Sequence, residues 1–412
     1  MAPKIKRAVV TRKENLPPAV LTVNAGSSSI KFALYDIGPS PQRIISGKID
    51  RIGLSGTLFS VDNPHGPSQR NIGINAESHG SAADFLLSYL ISQPAFASVK
   101  AVGHRVVHGM QYSKPQRVTS ALLAELRRIA PYDPDHLPRE IQLIEAFRQK
   151  HPKLPQVACF DTAFHRAMPP VAKSLPIPRR YATQGLQRYG FHGLSYSFLL
   201  EELTRLGDPA ARKGRVILAH LGNGASLAAV RNGKSIDTSM GFTPASGLMM
   251  STRSGDLDPG IVSYLARLES MTAVQFEHMV NHESGLLGVS ASSSDVRDLL
   301  AKEPTDHRAA LALDMFCYQA KKWIGSFAAA LGGVDTLVFS GGIGENAPVI
   351  RQRICRDLAF LGIAIKPALN AKNSPLISAP GAPVAVRVIH TDEELMIARS
   401  VSGLLKIKMK GN

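Results

Sequence analysis

The chain has 412 residues, 44% of them hydrophobic and 19% charged, which suits two or three domains with sizeable cores and excludes a peptide hormone or small module. Forty-eight Lys and Arg against 32 Asp and Glu leave a formal charge of +16, which favours anionic partners: nucleic acid, a membrane surface, or small phosphates and carboxylates. The three cysteines, Cys159, Cys317 and Cys355, are too few and too dispersed for a disulfide framework or a cysteine-ligated zinc site, and point to a reducing, cytoplasmic setting.

Residues 1–18 are basic (Lys4, Lys6, Arg7, Arg12, Lys13), but Pro17-Pro18 and then Asn24-Ala25-Gly26 interrupt any long apolar stretch, so they read as a disordered tail and not as a leader. No apolar run approaches the roughly 18–20 residues that span a bilayer. Folded structure begins at residue 19: AVLTVNAGSSSIKFALYD is a β-branched strand, a small-residue turn and a second strand, and 43–49 completes a meander. Helical periodicity follows at 81–90, 120–128, 139–150 and 194–206. The proline-rich stretch 169–178 reads as a loop crossing between two halves. A second meander, RVILAHLGNGASLAAVRNGKSID, covers 215–237, with Asn232-Gly233 as a hairpin turn. Setting Ser29-Ile30 on Ser226-Leu227 relates the two meanders as an internal repeat. A long helix at 309–331, a strand at 336–340, a helix at 348–361 and a last helix ending at 405 complete the chain. Two similar α/β halves predict a two-lobed protein with a cleft between the lobes.

Three glycine- or serine-rich turns end strands, at 24–29, 222–226 and 341–346; such turns offer backbone N–H groups, usually to phosphate oxygens, and Lys31 adds a charge beside the first. Gly233-Lys234-Ser235 resembles the end of a Walker A loop but lacks the earlier glycine, where Ala228 stands, and opens a strand instead of a helix. Gly342-Ile343-Gly344-Glu345-Asn346-Ala347 fits a dinucleotide fingerprint, but no acidic residue follows at the required distance. Arg105 lies in the apolar run VGHRVVHG, where it needs either a salt-bridge partner or an anionic ligand. His104 and His108 lack a third metal ligand and read as structural. His192 projects from the glycine-flanked turn GFHG, Arg253 from the polar loop MMSTRSGDLDPG, and Asp161 follows an apolar strand.

NAGSSSIKFALYD, VGHRVVHG, FDTAFH, RYGFHGLS, HLGNGAS with GKSIDTSMGFTP, MMSTRSGDLDPG, SGLLG, SSSDVRD, FSGGIGENA and TDEELMIA, in this order from about Val20 to the C-terminus, resemble the signatures of acetate kinases. The resemblance implies the α/β, duplicated, two-lobed fold of actin, Hsp70 and sugar kinases, with ribonuclease H-like halves. It divides the chain into the tail 1–18, an N-terminal lobe of 19–165 with 394–412 on the carboxylate and metal side, and a C-terminal lobe of 166–393 on the nucleotide side. It further implies Mg²⁺-dependent, reversible transfer of the ATP γ-phosphoryl to acetate, giving acetyl phosphate and ADP, with Mn²⁺ as a substitute metal. Carried over by position, Asn24 and Glu393 serve the metal; Lys31, His220, Leu221, Gly222, Asn223, Gly224, Asp295, Val296, Arg297, Gly342, Ile343, Gly344, Glu345 and Asn346 bind the nucleotide. Arg105 holds the carboxylate in a pocket with Val107, Phe191 and Pro244, and Arg253 and His192 stabilise the transferring group. Asp161 is the family's proton donor or acceptor, and a homodimer is implied.

The chemistry agrees with those residue types. A carboxylate is already ionised at neutral pH, so the site must bring two anions together and neutralise an in-line phosphoryl group. Asp161 then acts chiefly by orienting a metal-bound water or the acyl group. Some positions depart from the pattern: Ala130-Pro131-Tyr132-Asp133-Pro134-Asp135-His136 stands where many relatives have a histidine followed by Asn-Pro, Tyr196 replaces a second histidine after GFHG, Ser246 a common glutamate and Ser251 a glycine. A propionate or butyrate kinase is the near alternative. An NAD-dependent oxidoreductase built on Gly342–Ala347 and a nucleic-acid binder are the distant ones; scattered basic residues and 6% aromatics disfavour the latter. Hinges are expected near His165-Arg166 and at the start of the last helix.

Overall fold

The structure, a computed structural model, describes residues 17–26, 29–38, 40–53, 56–64 and 67–407. The expected tail falls on residues outside this range up to 16, as do Ser27 and Ser28 of the first turn. The chain divides into two compact units: the first runs to Ala163 and resumes at Asp392, and the second is Phe164–Thr391.

The first unit is built on eight strands, β1 (Ala19–Ala25), β2 (Ser29–Asp36), β3 (Arg43–Asp50), β4 (Leu58–Asp62), β5 (Gln69–Gly73), β6 (Val99–Val106), β7 (Gln116–Arg117) and β8 (Gln156–Phe160), in the order β5-β4-β3-β2-β1-β6-β8-β7. β1 to β5 pair antiparallel in succession, whereas β1, β6 and β8 run parallel. One sheet face buries Ile30, Phe32, Leu34 and Ile49 with Phe59 and Tyr89, whose rings meet edge-on at 4.8 Å. The last helix, Glu393–Leu405, returns to this unit and packs on β1 and β6. Gly103 permits that approach, because a Cβ there would overlap Ile397 and lie 2.6 Å from Val401 Cγ2.

The second unit repeats the central part of this plan. Its strands β9 (Arg215–Leu221), β10 (Ala225–Arg231), β11 (Lys234–Thr238), β12 (Thr336–Ser340) and β13 (Ala385–Val388) take the order β11-β10-β9-β12-β13, with β9, β12 and β13 parallel. This matches β3-β2-β1-β6-β8, in line with an internal repeat. Asn24 pairs with Lys31 in the first hairpin and His220 with Ser226 in the second.

Some readings are corrected. Residues 169–178 are not the crossing between halves: they lie within the second unit and contain the short helix Pro170–Lys173. Residues 341–346 form a short helix instead of an open turn. The following helix stops at Cys355, short of residue 361, because Asp357 takes a left-handed φ of 65° and a 3₁₀ turn at Ala359–Leu361 follows.

Candidate functional site

In the first unit the candidate residues meet where β1, β6 and β8 end. Arg105 on β6 donates from Nε (3.0 Å) and Nη2 (2.6 Å) to Asp161 Oδ2, and from Nη1 to Asn24 Oδ1 (3.2 Å). Asp161, which opens a 3₁₀ helix immediately after β8, is fully buried. Burial disfavours the charged guanidinium, but Asp161 and then Glu393 outweigh it and push the Arg105 pKa up. Asn24 Nδ2 donates to Glu393 Oε2 (2.9 Å) and Glu394 Oε1 (3.2 Å). Those carboxylates are placed by the cap of their helix: Asp392 accepts from Leu395 N at 2.8 Å and also binds Tyr35 and Arg43. Lys31 pairs across from Asn24 and is exposed.

The β6–β8 ladder ends at Val106 and Phe160, so the following backbone N–H groups need other acceptors. Side chains supply them. Val107 N donates to Glu140 Oε1 and Oε2 (3.1 and 3.2 Å), Gly109 N to Thr162 Oγ1 (3.0 Å) and Met110 N to His108 Nδ1 (3.2 Å). Burial pushes the pKa of His104 and of His108 down to about 4, leaving both neutral, and His104 bonds Gln156. Among the described residues no group of three or more His, Cys, Asp or Glu could hold a metal.

In the second unit, His192 precedes the helix Gly193–Arg205 with a left-handed φ of 58°. Its Nδ1 lies 2.8 Å from Ser226 Oγ, which also bonds the Tyr196 hydroxyl. Its ring stacks on His220 at 4.3 Å, and His220 Nδ1 bonds Ser195 Oγ at 2.8 Å. A Cβ on Gly224 would lie 3.2 Å from His192 Nε2 and 3.6 Å from Arg253 Nη1, so both cationic candidates border the Gly222–Gly224 turn. Asn223 O accepts from Ser251 N (3.2 Å), and Arg253 Nη1 donates to Pro244 O (3.3 Å). The helix Gly341–Asn346 adjoins the same turn: a Cβ on Gly222 would be 3.8 Å from Gly342 N. Glu345 fixes that helix by accepting from Gly341 N (2.9 Å) and Thr391 N (3.0 Å) and by bonding His390 Nδ1 (2.6 Å). The fully buried Arg351 donates to the carbonyls of Gly344 and Glu345.

Of the predicted residues, Asn24, Lys31, Arg105, Val107, Asp161 and Glu393 thus belong to the first unit. His192, His220, Leu221, Gly222, Asn223, Gly224, Arg253, Pro244 and Gly342 to Asn346 come together in the second, with the buried Phe191 adjoining His192. Asp295, Val296 and Arg297 open the helix Val296–Lys302, where Arg297 Nη2 bonds Asp295 Oδ2 at 2.5 Å. Of the residues predicted for the acid pocket, Arg105 and Val107 lie in the first unit and Phe191 and Pro244 in the second. Sequence reading missed Glu140, Ser226 and Arg351. Glu140 left a signal: it falls at the i+3 position of the buried stripe Leu137, Ile141, Ile144, where a carboxylate is out of place.

The profile of the acetokinase family matches residues 19–399. An acetate kinase of Rhodopseudomonas palustris is 46% identical over 389 residues, 93% of this chain and 97% of that protein. A propionate kinase of Citrobacter rodentium is 44% identical over 389 residues, with 93% and 96% covered. The crystal structure of Porphyromonas gingivalis acetate kinase superposes with a TM-score of 0.84 at 37% identity, covering 94% of this chain and all of that one. Sequence match and superposition together show that the chain belongs to the acetokinase family, a phosphotransferase with the duplicated α/β fold of actin, Hsp70 and the sugar kinases.

Proposed function

We propose that the protein reversibly transfers the γ-phosphoryl of ATP to acetate, giving acetyl phosphate and ADP, with Arg105 anchoring the acid. The observation that carries this reading is the half-buried Arg105, held by Asp161 and Asn24 near the end of a parallel strand. An arginine so fixed presents a directed positive charge to a carboxylate without reordering itself. The acid is ionised at neutral pH, so no base is required to make the nucleophile. One carboxylate oxygen forms the new O–P bond as the bond from the γ-phosphorus to the β,γ-bridging oxygen breaks, and ADP leaves with that electron pair.

His192 and Arg253 border the glycine turn at Gly224 and serve to neutralise the transferring group, while Gly222–Gly224, Gly342–Asn346, Lys31 and Asp295–Arg297 take the nucleotide. Asp161 orients Arg105 and through it the acid. Asn24 and Glu393 fit a magnesium ion, which is commonly bound by one or two protein carboxylates together with phosphate oxygens and water; when bound, it supplies neutralisation of phosphate charge. The similarity to a propionate kinase supports propionate as the second acceptor.

Trapping acyl phosphate as hydroxamate from ATP with acetate, propionate or butyrate tests the reading. Acetate should give the highest kcat/KM, and Arg105→Ala should raise its KM about 10- to 100-fold, as loss of ~1.5–3 kcal/mol from a charged hydrogen bond requires. No acyl phosphate from any of the three acids would refute it.

A further inference from the structure

We infer that Glu140 is a positioning residue for the acid-binding end of β6: its carboxyl pins the Val107 amide while leaving the positive charge of Arg105 to the substrate. The inference rests on the reading of Arg105 as the acid's anchor. Glu140 lies on the helix Leu137–Lys150, 2% exposed, and both its oxygens are within 3.2 Å of Val107 N. Val107 is the first residue beyond the β6 ladder and two residues from Arg105. No strand partner can hold its N–H, so the Glu140 carboxyl sets the path of the chain there.

The charge state follows from the surroundings. The charged groups that act on Glu140 are Asp133 from the turn before its helix, Arg105 from β6 and Asp161 after β8, and Asp133 in turn acts on His108 and bonds His136. Arg105 already has the fully buried Asp161 as its ion-pair partner. Glu393 acts on it as well, and a further ionised carboxylate here would add negative charge and repel an incoming acid. Burial, then Asp133, push the Glu140 pKa well above the ordinary carboxylate range, and Arg105 pulls the other way without prevailing. Neutral Glu140 therefore accepts the Val107 N–H and adds no further negative charge to the Asp161 and Glu393 carboxylates that already act on Arg105.

As pH rises, Glu140 ionises and adds negative charge beside Arg105, so acid binding must weaken on the alkaline side. The test is steady-state kinetics between pH 6 and 9 for the wild type, Glu140→Gln and Glu140→Ala, with ¹⁵N-valine spectra of the first two. In the wild type the KM for acetate should climb at alkaline pH. Glu140→Gln, which keeps an acceptor oxygen but cannot ionise, should stay within about twofold at neutral pH and lose the climb. Glu140→Ala should raise the acetate KM about tenfold with the ATP KM unchanged. A climb retained in Glu140→Gln, or equal changes in both KM values in Glu140→Ala, would overturn the inference. The Val107 amide resonance should move with pH in the wild type and stay fixed in Glu140→Gln; an indifferent Val107 amide overturns the inference even in an inactive protein. A responsive amide in a protein that makes no acyl phosphate would instead support the pinning and refute the reaction.

Discussion

Asp161 has no exposed surface, and its carboxylate meets a guanidinium that is 14% exposed. Removing one member of such a pair strands the other charge in a poorly solvated place, typically at a cost of about 3–5 kcal/mol. Asp161→Ala should therefore lower the melting temperature on the order of 10 °C, measured by thermal unfolding. An unchanged melting temperature would show that Asp161 serves chemistry alone. At this scale the sequence was informative where a residue was chemically out of place. An arginine in a β-branched run demanded a partner, and the structure supplies Asp161 as that partner. The same logic extends to Glu140 within an apolar stripe. Ser226 could not be found that way, because a serine in a strand raises no physical objection.

Among the elements, the helix Gly341–Asn346 depends on one backbone conformation. Gly341 has φ 76°, and a Cβ there would lie 2.7 Å from Leu221 O. Alanine would suffer both left-handed strain and a backbone clash, together about 1–3 kcal/mol. Gly341→Ala should raise the KM for ATP and leave that for acetate unchanged; an equal rise in both would place the damage in the fold at large. The strands β1, β2, β9, β10, β11 and β12 were readable because alternating or β-branched runs end at glycine or asparagine turns. β4, β5, β7 and β13 were not, being short or lying among loop-like residues. Their pairing partners, not their own sequences, make them strands.

For the molecule as a whole, the division into two units makes ligand effects separable. Nucleotide at about 100 times its Kd should stabilise the protein by ~2.7 kcal/mol. Hydrogen exchange with ADP and magnesium should slow in the second unit around residues 220–224 and 341–346. Protection confined to the first unit would contradict the assignment of the nucleotide turns. The duplication was legible from two glycine-turned meanders.

The sequence by itself determined that this is a duplicated α/β phosphotransferase of the acetokinase family. It also singled out Arg105, because a cation in an apolar strand needs a partner or an anion, whereas Asn24, Asp161, His192 and Arg253 were named by the resemblance to the family. Only the tertiary structure decided who those partners are. It joins Arg105 to Asp161 and Asn24, sets His192 on Ser226, and makes Glu140 the acceptor of an amide 33 positions away. Local pattern reports which face a residue takes. Which groups share that face is settled by the register of strands and the packing of helices far apart in the chain.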